Sequence, residues 1–156
     1  MKIAVIGANS FSGRDFADLC HERGHEIIGI SRSESRYPQA WHYVQLDLNT
    51  DLGPTIRGPG LFEMLNEWKP DCIVNFACQS EVGPSWDSPW EWFQTNTVAL
   101  SRLAAWMVKK EQQAWLKRYL HVSSPEVYGS CEGLVVEDQR FHPSTPYACS
   151  QAAADM

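Results

Sequence analysis

Apolar residues in this chain gather in short blocks, and two spacings alternate along it. "KIAVIGA" (2–8), "HEIIGIS" (25–31), "HYVQLDL" (42–48), "CIVNFAC" (72–78) and "RYLHVSS" (118–124) are compact runs that predict five strands. Between them the period lengthens. "RDFADLCHERG" sets Phe16, Leu19, Cys20 and Arg23 at helical spacing, with Gly24 as the stop. "GLFEMLNEWKPD" puts Leu61, Met64, Leu65 and Trp68 on one helical face, ended by Pro70. Ser88 and Pro89 read as a cap and a first turn. The helix they start is expected to run to Lys110 and to bury Phe93, Thr97, Leu100, Ala104 and Met107. "TPYACSQAAADM" opens a last helix. Repeated strand–helix alternation implies an α/β fold, a doubly wound parallel sheet of Rossmann type with helices on both faces. Ligands of such sheets bind beyond the carboxyl ends of the strands, so the residues after each strand carry the interest.

Composition narrows the picture. The chain has 156 residues, 44% of them hydrophobic, enough apolar material for one domain with a real core. Its formal net charge of -6 and lack of a basic run argue against a nucleic-acid partner. No apolar run approaches the roughly 18 residues of a membrane span. "MKIAVIGANS" reads as a strand, not a leader. Five cysteines (Cys20, Cys72, Cys78, Cys131 and Cys149) lack C-x-x-C spacing. They read as reduced, mostly buried thiols of a cytoplasmic protein, with no disulfide frame and no metal site. Trp86, Trp90, Trp92 and Trp106 cluster, which suits either core or an association surface.

The first turn, "GANSFSG", runs from Gly7 to Gly13. Gly7 closes the strand and Gly13 lets the helix approach the sheet, and the amides of Asn9, Ser10 and Phe11 can face a pyrophosphate at a helix start. Ser10 stands where such turns carry a middle glycine. A plain strand-to-helix turn is the competing reading. The second strand ends in Ser31 and Arg32, with no carboxylate for a ribose 2′-hydroxyl. A hydroxyl and a guanidinium suit a 2′-phosphate, which favours NADP over NAD, and a solvated surface arginine is the alternative. Asp47 and Leu48 end the third strand, where the carboxylate could accept from an adenine amino group or cap a helix.

"NFACQSEVGPSW" (75–86), "VSSPEVYGS" (122–130) and "TPYACSQ" (145–151) follow in order. Together they resemble the extended short-chain dehydrogenase/reductase family of NAD(P)-dependent nucleotide-sugar epimerases, dehydratases and decarboxylases. The first stretch looks most like that of GDP-mannose 4,6-dehydratase-type members. The resemblance implies an NAD(P)-binding Rossmann-type domain over residues 1–156, with the carboxyl-terminal substrate domain absent and the sheet incomplete at that end. It implies transient oxidation at sugar C4, a nucleotide-sugar substrate, and a homodimer through the 88–110 and 146–156 helices. By position, Tyr147 matches the catalytic tyrosine, Ser124 the Ser or Thr that bonds the same sugar oxygen, and Glu126 a glutamate near the C5 proton. Asn75 and Ala77 fall on the cofactor-facing loop, and Asn96 matches a helix asparagine common in the family. Glu81 stands where many members have His, and Pro125 where dTDP-glucose dehydratases keep Asp.

One position departs from the pattern in a way that changes the chemistry. The family motif is Tyr-x-x-x-Lys, with both side chains on one helical face. Here the second member is Gln151. An unassisted phenol, with a pKa near ~10, is a poor base at neutral pH, and the lysine ammonium is what favours tyrosinate. Gln151 could hold a ribose hydroxyl but brings no charge. The alternative to an enzyme is therefore a non-catalytic NAD(P)-binding module. Cys78, Cys149, Tyr128 and His121 read as packing residues.

Overall fold

The computed structural model describes residues 1–56 and 58–156. In chain order the elements are β1 (Lys2–Ile6), α1 (Phe11–Glu22), β2 (Glu26–Ser31), β3 (His42–Gln45), α2 (Leu61–Trp68) and β4 (Cys72–Asn75). A 3-10 turn (Gly83–Trp86), α3 (Pro89–Trp92), a π-helical stretch (Phe93–Val98) and α4 (Ala99–Met107) follow. Then come α5 (Lys110–Gln113), β5 (Arg118–His121), a second 3-10 turn (Pro125–Tyr128) and α6 (Pro146–Asp155). These fall into two compact units, one of Met1–Ala77 with Arg102–Val122, the other of Cys78–Ser101 with Ser123–Met156.

The first unit holds the sheet. Its strand order is β3-β2-β1-β4-β5, and every neighbouring pair is parallel. One row crosses all five strands: His42, Ile28, Ala4, Ile73 and Tyr119. The chain winds outward from β1 to β3, then returns to β1's other side at β4, which makes the carboxyl ends of β1 and β4 the switch point. Burial explains the continuous apolar runs of the central strands. Ile3 to Ile6 and Cys72 to Asn75 are all buried, as strands covered on both faces must be. Below one face, Phe16 of α1 packs on Phe76, ring centroids 5.5 Å apart, and Ala17 and Cys20 complete the layer. Gly29 lets Trp41 lie across β2, since a Cβ there would stand 2.1 Å from the indole. α2 buries Leu61 and Leu65, and Lys69, in left-handed backbone (φ 53°), donates its N–H to Leu65 O before Pro70.

All five expected strands form; β1, β3, β4 and β5 stop short of the carboxyl end of the apolar run that announced them, whereas β2 runs to Ser31 as expected. The reason is visible at β1: the amides of Gly7 and Ala8 both donate to the Ile30 carbonyl, so the ladder closes there and the chain turns away. α1 begins at Phe11, before the apolar spacing starts, because Ser10 caps it.

The expected 88–110 helix differs in three ways. Ser88 makes no side-chain cap bond, the helix stops at Met107, and a π stretch runs through residues 93–98. Its buried face is Trp92, Asn96, Ala99, Leu100, Leu103 and Trp106. Only Leu100 of the expected set is fully buried, and Phe93 and Ala104 are exposed. A π stretch takes more residues per turn and shifts the phase, which a regular helical period does not anticipate. The second unit ends in α6, whose Thr145 cap accepts from the Ala148 amide and whose Pro146 fills the first turn. Among the described residues no helix is long and apolar enough to cross a membrane. The five cysteines are free thiols, and Cys131 is exposed, contrary to the expectation of mostly buried ones.

Candidate active site

The glycine turn is built by close backbone approach. Gly7 has φ 84°, and a Cβ on it would stand 2.5 Å from the Ala77 amide nitrogen. A Cβ on Gly13 would meet the Gly7 carbonyl oxygen at 2.4 Å. Ser10, the departure from an all-glycine pattern, is folded inward. Its hydroxyl donates to Gly7 O (2.7 Å) and accepts from Gly13 N (3.1 Å). The extra side chain thus serves as the helix cap. The first amides of α1, at Phe11 and Ser12, have no intrahelical acceptor and are joined by the helix dipole. This donor set at a closely packed glycine turn fits a dinucleotide pyrophosphate.

Beyond β2, Ser31 Oγ accepts from the Asn9 amide (3.0 Å), and Arg32 is exposed. Asn9 does not present its side chain as a free cofactor ligand. It spans the following loop, donating to Ser33 Oγ (3.1 Å) and Glu34 O (2.8 Å) and accepting from Arg36 N (3.3 Å). Arg14 holds the far end of that loop through Pro38 O (2.6 Å) and pairs with Asp18 at 2.7 Å. Burial pushes the Asp18 carboxyl up, but hydrogen bonds from Arg14 and Trp41 outweigh it and leave the group below its ordinary value. After β3, Asp47 Oδ1 accepts from Asn49 N (2.8 Å), so Asp47 caps a turn and not the helix expected there, with Leu48 half-buried inside the turn. Asn75, at the end of β4, is buried. Its Oδ1 accepts from Ala77 N (3.0 Å), and its amide meets His121 Nδ1 at 3.4 Å. Tyr119, beside them, is pushed up to about 12 by burial, against a hydrogen bond from Asn75.

In the second unit, Ser124 caps the 3-10 turn Pro125–Tyr128 and its hydroxyl accepts from Glu126 N at 3.3 Å. That turn packs against α6. Tyr147 sits in the first turn of α6, 7% exposed, and its hydroxyl accepts from Gln151 Nε2 at 3.4 Å. Gln151 is 1% exposed, and its Oε1 is buried without a hydrogen-bond partner among the described residues. An amide of this kind, half satisfied and adjacent to a tyrosine hydroxyl, has the donor and acceptor a ribose diol needs, though no charge.

Bonds that the spacing did not reveal hold this helix. Ser85, fully buried in the Gly83–Trp86 turn, accepts from the Tyr147 amide at 3.2 Å. Thr97 Oγ1 donates to Ser150 O (2.9 Å), and Ser150 Oγ accepts from Asn96 Nδ2 (2.9 Å). Asn96 also pairs with both backbone groups of Gln79, at 2.8 and 3.1 Å. Glu81, in the same loop, is exposed. Thr97 is expected on the buried face of its helix and Asn96 as a family-like asparagine, but neither reading gives their bonds to Ser150, and Ser85 and Ser150 give no periodic signal at all.

A parallel sheet of this order with a capped glycine turn at its first strand defines a Rossmann-type dinucleotide fold. The sequence profile described as the NAD dependent epimerase/dehydratase family matches residues 3–156, and the chain belongs to that family. It is 37% identical to the dTDP-glucose 4,6-dehydratase of Xanthomonas campestris pv. campestris (strain B100), covering 97% of this chain and 46% of that protein. It is 28% identical to GDP-mannose 4,6 dehydratase 1 of Arabidopsis thaliana, covering 98% and 45%. Identity is thus higher to the dTDP-glucose enzyme, although Pro125 departs from that type. Among solved structures, MoeE5 in complex with UDP-glucose and NAD superposes with a TM-score of 0.82 at 25% identity, covering 99% of this chain and 47% of MoeE5. The UDP-Glc/GlcNAc 4-epimerase of Campylobacter jejuni gives a TM-score of 0.82 at 22% identity, a likeness of fold. The chain spans about half the length of these relatives.

Proposed function

We propose that residues 1–156 are the NAD(P)-binding domain of a nucleotide-sugar 4,6-dehydratase or epimerase, with the substrate domain supplied by sequence outside this span. The observation that carries the reading is the pairing of Tyr147 with residue 151 on a helix packed against the turn of Ser124 and Glu126. The turn from Gly7 to Gly13 would hold the pyrophosphate. Ser31 and Arg32 would take the adenosine ribose, with NADP preferred to NAD because no carboxylate ends β2. Asp47, Leu48, Asn75 and Ala77 would shape the remaining wall, and Tyr147 and Gln151 would serve the nicotinamide ribose. When bound, the cofactor would supply a reversible hydride acceptor for sugar C4.

The chain's own residues manage the protons. Tyr147, as phenolate, takes the C4 hydroxyl proton as hydride leaves the same carbon, and Ser124 donates a hydrogen bond to that oxygen. Glu126 removes the proton from C5, which the C4 ketone has made acidic. A homodimer through the 88–110 and 146–156 helices, in the cytoplasm, belongs to the same reading. Gln151 favours a second reading, a cofactor-holding module without turnover, because the cation that would favour phenolate is gone.

The test is Glu126→Gln in the full-length protein, given dTDP-glucose or GDP-mannose and followed by nicotinamide absorbance. Hydride should still reach the cofactor while loss of the C5 proton stops, so reduced cofactor accumulates with a keto-sugar. Complete turnover in the variant would make Glu126 structural and favour an epimerase. A parent that binds cofactor but never reduces it on either sugar supports the module.

A further inference from the structure

The loop from Arg32 to Ala40 has no regular secondary structure, yet it is anchored at defined points. One side chain makes most of the anchors near its start. Asn9 Nδ2 donates to Glu34 O (2.8 Å) and Ser33 Oγ (3.1 Å), and lies 3.4 Å from Ser33 O. Asn9 Oδ1 accepts from Arg36 N (3.3 Å). A carbonyl at one end of the amide and an N–H at the other fix its orientation. Tyr43 adds a bond from its hydroxyl to Ser33 O (2.6 Å). The backbone of Asn9 contributes separately, through its N–H to Ser31 Oγ (3.0 Å). The loop so held carries two exposed guanidinium groups, Arg32 and Arg36, with the exposed Glu34 between them. Arg36 is close enough to act electrostatically on Tyr43.

We infer that Asn9 is a positioning residue for cofactor discrimination: it fixes the loop that presents Arg32 and Arg36 to the 2′-position of a bound adenosine. This rests on the cofactor reading above and adds a cause to it. A guanidinium on a loose loop must be ordered at the moment of binding, and that ordering opposes affinity. Held in place beforehand, the same group gives its full charge-assisted contact. The loop bonds come from the Asn9 side chain and the glycine-turn bond from its backbone. Removal of the side chain therefore loosens the arginines while the turn keeps its Ser31 contact.

The experiment titrates NADPH and NADH calorimetrically into the parent, Asn9→Ala, Asn9→Asp and, as a reference, Arg32→Ala. The parent should prefer NADPH. In Asn9→Ala the affinity for NADPH should fall about tenfold more than that for NADH, approaching the Arg32→Ala pattern. Asn9→Asp keeps an acceptor for Arg36 N but sets a carboxylate oxygen against Glu34 O, so it should lose preference as well. In parallel, limited trypsin digestion reads the loop with no cofactor present. Cleavage after Arg32 and Arg36 should speed up several-fold in both Asn9 variants. Equal loss of both cofactors, no change in their ratio, or unchanged cleavage overturns the positioning role. A parent that binds neither cofactor, with cleavage still accelerated in the variants, overturns the cofactor reading and with it the role in discrimination, leaving Asn9 a loop anchor alone.

Discussion

Gln151 stands four residues after Tyr147 with its amide 3.4 Å from the tyrosine hydroxyl. The amide thus meets the tyrosine hydroxyl without bringing a charge to it. In the proposed mechanism only a phenolate at Tyr147 would accept the sugar proton, and no cation at residue 151 favours it. Turnover by the full-length protein on its nucleotide sugar should be slow at neutral pH and should climb as pH rises. Gln151→Lys should raise the neutral-pH rate and move the whole profile to lower pH. Burying an ammonium where a neutral amide sat has its own cost, which the phenolate offsets only when it forms. A pH–rate profile of parent and variant decides this. Full activity of the parent near neutrality, unchanged by the lysine, would mean that another group activates Tyr147.

At the scale of elements, α6 shows why polar contacts matter more here than an apolar face. Its sequence "PYACSQAAAD" offers mainly alanine and small polar residues, which bury little area each. What ties it down is Ser150, whose hydroxyl donates to Tyr147 O (2.7 Å) and accepts from Asn96 Nδ2, and whose carbonyl accepts from Thr97. Ser150→Ala removes one acceptor from a buried asparagine that keeps its Gln79 pairing. The expected loss is about 1–2 kcal/mol of unfolding free energy in a urea titration. Ala153→Ser, on an exposed position of the same helix, should change stability by less than about 0.5 kcal/mol. If Ser150→Ala matches that control, the serine is a spectator. The neighbouring helix shows the limit of pattern reading. Its existence and its Pro89 start follow from spacing and turn chemistry, but its buried face lies one residue away from the expected one. The π stretch and the buried Asn96 set that phase, and neither leaves a mark in hydrophobic periodicity.

Across the whole molecule, the five strands and their parallel pairing were legible because buried parallel strands must read as continuous apolar runs joined by helices, whereas the order of the strands was not. The glycine turn and Tyr147 were legible as short motifs. The loop held by Asn9 and the Ser85 contact to Tyr147 were not, because each depends on a side chain meeting backbone far along the chain. The tryptophan cluster was legible, but not which of its members are core and which are surface. The structure divides it: Trp92 and Trp106 are core, whereas Trp86 and Trp90 are 63% and 66% exposed. Trp90 and Phe93 make a short exposed stripe on the helix that starts at Pro89, with Trp86 exposed in the 3-10 turn before it and Val98 exposed farther along. Apolar side chains of this kind facing water are costly to leave wet and make the kind of face two copies can share. We therefore expect this chain to sediment as a dimer at micromolar concentration. Trp90→Lys should shift it to monomer, since two like charges would meet across a two-fold axis. The variant should keep its circular dichroism spectrum, because Trp90 has little burial to lose. A parent that sediments as a monomer at tens of micromolar, or a Trp90→Lys dimer as tight as the parent, would remove this stripe from the interface.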